Sequence, residues 1–322
     1  MFGSDRTMLH VLLFAGCALG AGVAHAQEYP TKPIRVVIPN AAGTVADLMI
    51  RIMAPDMQQR LGQPIVVENK PGAGQVIGYE YVAKQVPPDG YTLVTVSVTS
   101  LVLLPLLTKD LRFDPSKDLP PIIGFMQGRL FLAVPSKTPF KTFAEVVAYA
   151  KANPGKLNFG SNSPSTRVPT EMVLQQLGLD VVHVPYPSSA SYNKAMITGE
   201  VQLGTLGPGD VATLGDGVRV LAITGEKRSP AYPDVPTFAE LGFPQVLGAM
   251  FSLNGPAGLP PAVVNKVYEA AAYALRQPSV QEQFTKLYAE IEIEPPAVAA
   301  KRLASVEKTY VEAVKKIGLQ PQ

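Results

Sequence analysis

The chain has 322 residues, with 28 basic and 26 acidic side chains and a formal net charge of +2. That near balance argues against a nucleic-acid binder, which concentrates Lys and Arg. At 47% hydrophobic and 17% charged, the chain buries a large core and is too apolar to stay disordered.

The first residues read as an export signal. Arg6 lies in a short polar start, Val11 to Val23 form an apolar run too short to span a bilayer, and Ala24-His25-Ala26 is an A-x-A cleavage site. The expectation is a signal peptide over 1–26, cleavage after Ala26, Gln27 as the first mature residue and a periplasmic location. Two other readings fit the same stretch. One is a buried N-terminal helix. The other is a lipoprotein site acylated at Cys17, although Phe14 stands where such sites prefer a Leu-like residue. Cleavage leaves no cysteine, and His183 as the one histidine.

The mature chain alternates β-branched runs with helical patterns. A strand over 34–38 precedes a helix over 46–61, with Leu48, Ile52, Met53 and Met57 near helical spacing. A strand at 64–68, a helix at 76–85, a strand at 91–98 and an apolar helix at 101–107 follow. A second series begins at 130–134. Its later strands fall at 156–160, 180–185, 201–206 and 218–224, with helices at 143–151, 168–177 and 192–198. A turn-rich stretch at 231–244 leads into a strand-like segment at 247–253. Three helical patterns with no further strand end the chain, the last marked by Leu303, Val306, Tyr310, Val314 and Ile317.

This order predicts an α/β protein of two lobes, each a mostly parallel sheet flanked by helices. Returning the last three helices to the first sheet requires two crossover segments, near 127–132 and 246–253. The expected boundaries are 27–128 with 250–322 for the first lobe and 129–249 for the second. Ligands of open parallel sheets bind beyond the carboxyl ends of the strands, here in the cleft between lobes.

The depleted inventory excludes much chemistry. Without cysteine there is no thiol nucleophile, thiolate-bound zinc or Fe–S cluster, and one histidine excludes histidine-rich metal sites. A Ser-His-Asp triad would have to use His183, which sits in a β-rich run ending at Pro185 and reads as a packed strand-end residue. No G-x-S-x-G elbow occurs. Gly72, Gly74 and Gly78 miss the dinucleotide spacing by one position, so no nicotinamide cofactor is expected, nor any other cofactor or metal.

What remains is a set of small-residue turns at strand ends. Asn40-Ala41-Ala42-Gly43-Thr44 leaves backbone N–H groups at a positive helix end, and Thr44 with Asp47 forms a variant of the capping box. Gly72-Ala73-Gly74 lets backbone approach an anion closely. In the second lobe Ser161-Asn162-Ser163-Pro164-Ser165-Thr166-Arg167 brings hydroxyls and a guanidinium to a helix start, where Arg167 could clamp a carboxylate. Ser188 and Ser189 repeat the pattern, as do Ser97 and Thr99. Each segment also fits an ordinary βα loop, and Arg167 also fits an exposed surface charge near Glu171 that adds little to stability. Together, four such turns without acid–base machinery favour binding a small anion over transforming one.

The runs Tyr29-Pro30-Thr31-Lys32-Pro33-Ile34-Arg35 and Val67-Glu68-Asn69-Lys70-Pro71-Gly72-Ala73-Gly74 resemble those of the Bug (tripartite tricarboxylate transporter) solute-binding proteins. So do Pro88-Asp89-Gly90-Tyr91-Thr92-Leu93, the stretch from Tyr149 to Asn158, His183-Val184-Pro185-Tyr186, Lys227-Arg228-Ser229-Pro230 and Pro233-Asp234-Val235-Pro236-Thr237. The likeness spans Tyr29 to Gly318. It implies a type II periplasmic-binding-protein-like fold and a non-enzymatic receptor that captures a small carboxylate. Such a receptor is expected to be a monomer that transiently meets the large and small membrane subunits of its transporter. By the same likeness, Asn40–Thr44, Gly72–Gly74 and 161–166 lie at the cleft. The chain departs from that pattern at Asn40–Thr44, at Arg167 where relatives commonly have His, at Pro187 and Ser188, at Leu206 and at Met250. These departures bear on which carboxylate is bound. A ligand-sensing receptor and an exported α/β hydrolase or isomerase are the alternative readings.

Overall fold

The computed structural model describes residues 29–225, 227–287 and 289–318. The export signal expected over 1–26 lies outside the described residues. The chain runs through β1 (Ile34–Ile38), α1 (Val45–Leu61), β2 (Ile65–Asn69), α2 (Val76–Lys84), β3 (Thr92–Ser97) and α3 (Val98–Leu107). A one-turn α4 (Pro115–Asp118) leads into β4 (Pro121–Gly128), and β5 (Phe131–Pro135) opens a second sheet. There follow α5 (Phe143–Ala152), β6 (Asn158–Ser161), α6 (Pro164–Gln176), β7 (Val182–Pro185), α7 (Ser189–Thr198), β8 (Leu203–Leu206), α8 (Pro208–Leu214) and β9 (Val218–Ile223). The chain returns through β10 (Ala249–Asn254) to α9 (Pro261–Leu275), α10 (Pro278–Lys286), β11 (Ala289–Glu294) and α11 (Pro296–Ile317).

Two sheets result, ordered β11-β4-β10-β3-β1-β2 and β7-β6-β8-β5-β9. Alternation along the strands decides which helices each face receives. Val36 and Ile38 of β1 turn toward Met49, Ile50 and Met53 of α1 and Val267 of α9, while Val37 turns toward Tyr79, Leu101 and Tyr310 of α2, α3 and α11. Each fully buried side chain of this kind contributes about 1.5–3 kcal/mol, so the two apolar faces fix a three-layer arrangement.

The sheets are mixed, where the sequence order implied mostly parallel ones. Only β2, β1 and β3 run parallel in the first sheet, and only β7, β6 and β8 in the second. The rest is antiparallel because the strands entering and leaving the second lobe lie side by side, with Gly128 of β4 paired to Ala249 of β10. The second correction is β11. Its sequence alternates Ala289, Ile291 and Ile293 with Glu290, Glu292 and Glu294, a period-2 edge strand read from sequence as part of a helical region. β4 was likewise legible only in part, since it is buried on nearly every residue and shows no alternation.

The lobes meet at two places. Val168 and Met172 of α6 pack into the cluster formed by α2, α3 and α11. Elsewhere Gly209 of α8 lies against Val45 at the start of α1. The carboxyl ends of β1, β2 and β3 therefore face those of β6, β7 and β8.

Candidate functional site

In the first lobe, the loop after β1 is held from below. Asp47, 2% exposed, accepts the Gly43 N–H at 2.9 Å, and Arg51 Nε donates to both of its carboxylate oxygens at 3.0 Å. Asn69, at the end of β2, donates to Asp47 Oδ1 and to the Asn40 carbonyl, both at 3.0 Å. Burial alone would push the Asp47 carboxyl up, but the hydrogen bonds from Arg51, Gly43 and Asn69 outweigh it and hold the group below its ordinary value. The expected cap is realised differently. Thr44 makes no side-chain cap and donates instead to the Ala41 carbonyl at 2.8 Å, while Asp47 reaches back one residue further, to Gly43. The Gly43 N–H is thus spent inside the loop. Those of Ala41 and Ala42 have no protein acceptor among the described residues.

The glycine turn after β2 is unusual in its backbone. Gly72, Ala73, Gly74 and Gln75 take successive φ values of 133°, 46°, 61° and 84°. Sequence reasoning stopped at Gly74 and missed Gln75, whose side chain is folded in against Tyr79 of α2. Ser97 ends β3 beside them, its N–H donating to the Tyr79 hydroxyl at 3.2 Å. Because α3 begins at Val98, Thr99 falls in its first turn, fully buried near the Tyr310 hydroxyl of α11.

In the second lobe a chain of polar side chains links the starts of α6 and α7. Asn162 donates to Ser189 Oγ at 2.7 Å and accepts from Thr166 Oγ1 at 3.1 Å, and Ser163 Oγ lies 3.0 Å from Ser165 Oγ and 3.1 Å from Thr166 Oγ1. On α8 the Asp210 carboxylate accepts from Asn193 of α7 at 3.0 Å and from the Gly207 N–H at 3.3 Å. Burial pushes the Asp210 carboxyl up, and these bonds offset only part of that. Ser188 serves elsewhere, as the N-cap of α7, accepting from the Ser191 N–H. Asp210 and Asn193 escaped the sequence reading because neither lies in a hydroxyl-rich turn; each is one helical turn beyond it.

Arg167 differs from the exposed clamp its sequence position suggests. Its Nε donates to Glu171 Oε1 at 2.9 Å, and the two side chains are 21% and 16% exposed. Burial pushes the Glu171 carboxyl up despite the guanidinium beside it. The two terminal nitrogens of Arg167 have no protein partner among the described residues.

Ser161 Oγ lies 2.8 Å from His183 Nε2, the one nucleophile–base geometry near the cleft among the described residues. It is a poor catalytic pair. Burial, and then the Arg167 charge, depress His183 to about 4, so it is a weak base at neutral pH, and the charged group acting on it is a cation rather than a carboxylate. The ring packs on Phe159 at 4.8 Å, as the strand-end reading expected.

The chain is similar in sequence and fold to known proteins. Residues 49–318 match the sequence profile of the tripartite tricarboxylate transporter family receptor. A protein of Cupriavidus necator, the UPF0065 protein in the gbd 5′ region, is 36% identical over 309 residues, covering 94% of this chain and 93% of its own length. The solved periplasmic binding protein BugD superposes with a TM-score of 0.83 at 27% identity, covering 91% of this chain and 100% of its own. Rpa4515 of R. palustris, solved with adipate, gives 0.84 at 26% identity, covering 91% and 100%. MatC of Rhodopseudomonas palustris, solved with bound malate, gives 0.81 at 27%, covering 89% and 100%.

Proposed function

Because the chain belongs to the tripartite tricarboxylate transporter receptor family, we propose that it captures a small aliphatic dicarboxylate between its lobes. As a solute-binding receptor and not an enzyme, it needs only to hold that acid and release it. The observation that carries the reading is the pairing of two donor-rich half-sites across one cleft. The first offers the free N–H groups of Ala41 and Ala42 at the positive end of α1, and the second offers the hydroxyls of Ser163 and Ser165 at the start of α6. An acid with a carboxylate at each end satisfies both halves at once, so ligand favours the closed form. The adipate and malate bound by the two R. palustris proteins fit that class.

The protein would work in the periplasm as a monomer, cleaved after Ala26, and hand its acid to the large and small membrane subunits of a permease. Among the described residues no helix is long and apolar enough to cross a membrane, which suits a receptor that visits its permease. A thermal-shift screen of malate, adipate, citrate, aromatic acids and amino acids tests the class. Stabilisation by dicarboxylates above the others is expected. Stabilisation by amino acids or aromatic acids alone would overturn it.

A further inference from the structure

Gln75 occupies a backbone conformation that suits glycine, with φ at 84°, between two other left-handed residues and the start of α2. A side chain kept at such a position, and 8% exposed, is held there by something other than local preference. Tyr79, fully buried, accepts the Ser97 N–H at 3.2 Å, so its own proton is free to donate to Gln75 Oε1 at 3.0 Å. That ordering fixes the amide, because the carbonyl end must face Tyr79 and the NH2 end must face away. The Gln75 Nε2 has no protein partner among the described residues, yet it is not among the sealed, unpartnered polar atoms. The same is true of Ser97 Oγ, at the carboxyl end of β3.

We propose that the Gln75 amide is a ligand-binding group, its N–H donors aimed past the end of β3 to hold a carboxylate oxygen together with Ser97 Oγ. The proposal rests on the dicarboxylate reading and adds a recognition element beyond the glycine turn itself. Tyr79 is a positioning residue that orients the amide without touching the ligand. An amide carries no charge at any accessible pH, so its contribution is insensitive to pH, unlike that of a carboxylate or histidine.

Calorimetry of the mature chain with malate and with adipate tests this. Gln75→Gly restores the residue the backbone favours, so folding survives while affinity falls about tenfold, the size expected for one charge-assisted hydrogen bond. Gln75→Glu falls further, since it sets a carboxylate against the ligand's own. Tyr79→Phe keeps the packing and loses part of the affinity, with Gln75→Gly adding less in the Tyr79→Phe background than alone. Gln75→Gly binding within twofold of wild type would overturn the assignment and leave the dicarboxylate reading intact. Wild type that binds neither acid would sink that reading and, with it, the partner assigned to the amide.

Discussion

Gly209 of α8 lies against Val45 of α1 so closely that a Cβ at position 209 would collide with Val45 Cγ2. This contact joins the two lobes, as does the packing of Val168 and Met172 of α6 against α3 and α11. A larger residue at 209 must therefore hold the lobes apart. Gly209→Leu should leave thermal stability nearly unchanged, because leucine suits a helix start better than glycine. It should weaken dicarboxylate binding by at least tenfold and enlarge the radius of gyration of the liganded protein. Equal affinity and equal scattering would show that the contact plays no part in closure.

The loop after β1 depends on a residue that touches no ligand. Asp47 ties Gly43, Arg51 and Asn69 together, so Asp47→Ala should cost about 0.5–1.5 kcal/mol, because those donors are exposed or half-buried and turn to water instead. The carboxyl is held below its ordinary value when folded, so its stabilisation is present above the unfolded pKa near 4 and fades as pH falls through the lowered one. Chemical denaturation should show the wild-type advantage over Asp47→Ala shrinking only below about pH 4. An advantage that persisted undiminished well into that range would contradict this role.

Arg167 now carries a structural expectation as well as a binding one. Removing it leaves a largely buried Glu171 carboxylate without its partner, so Arg167→Ala should destabilise the fold by about 1–3 kcal/mol. The double variant Arg167→Ala with Glu171→Gln should recover most of that. If Arg167→Ala melts like wild type, the pair is an incidental surface contact.

His183 supplies a pH signature. Its folded value, about 4, lies below the ordinary 6.5, so the folded state resists protonation that the unfolded state accepts. The contribution is fully favourable above pH 6.5 and is lost progressively as pH falls toward 4. With the ring only half-buried, solvent screening limits the loss to about 1–2 kcal/mol. A His183→Gln variant should lack this slope, and the wild-type imidazole should titrate below pH 5 by NMR. Titration near 6.5 would refute the burial argument.

The strand-end turns were legible in sequence because glycine, serine and threonine follow β-branched runs, and that pattern locates a cleft before any coordinates. Side-chain partners were not. Arg167 near Glu171 reads as an exposed surface charge until the fold shows the pair largely buried, and Thr44 reads as a cap until Gly43, with φ at 81°, diverts the bond from Asp47. Gln75 was invisible for the same reason, since its significance is a left-handed φ that residue identity does not predict. The β11 error is different in kind. Three glutamates alternating with apolar residues suit an amphipathic helix end by composition and an edge strand by period, and only pairing with β4 decides between them.

The central claim is that one dicarboxylate bridges the lobes, and a crystal structure grown with adipate or malate tests it most directly. The account predicts the acid in the cleft, one carboxylate among the Ala41 and Ala42 N–H groups and the Gln75 amide, the other at Ser163 and Ser165. An acid bound to a single lobe, or outside the cleft altogether, would contradict it.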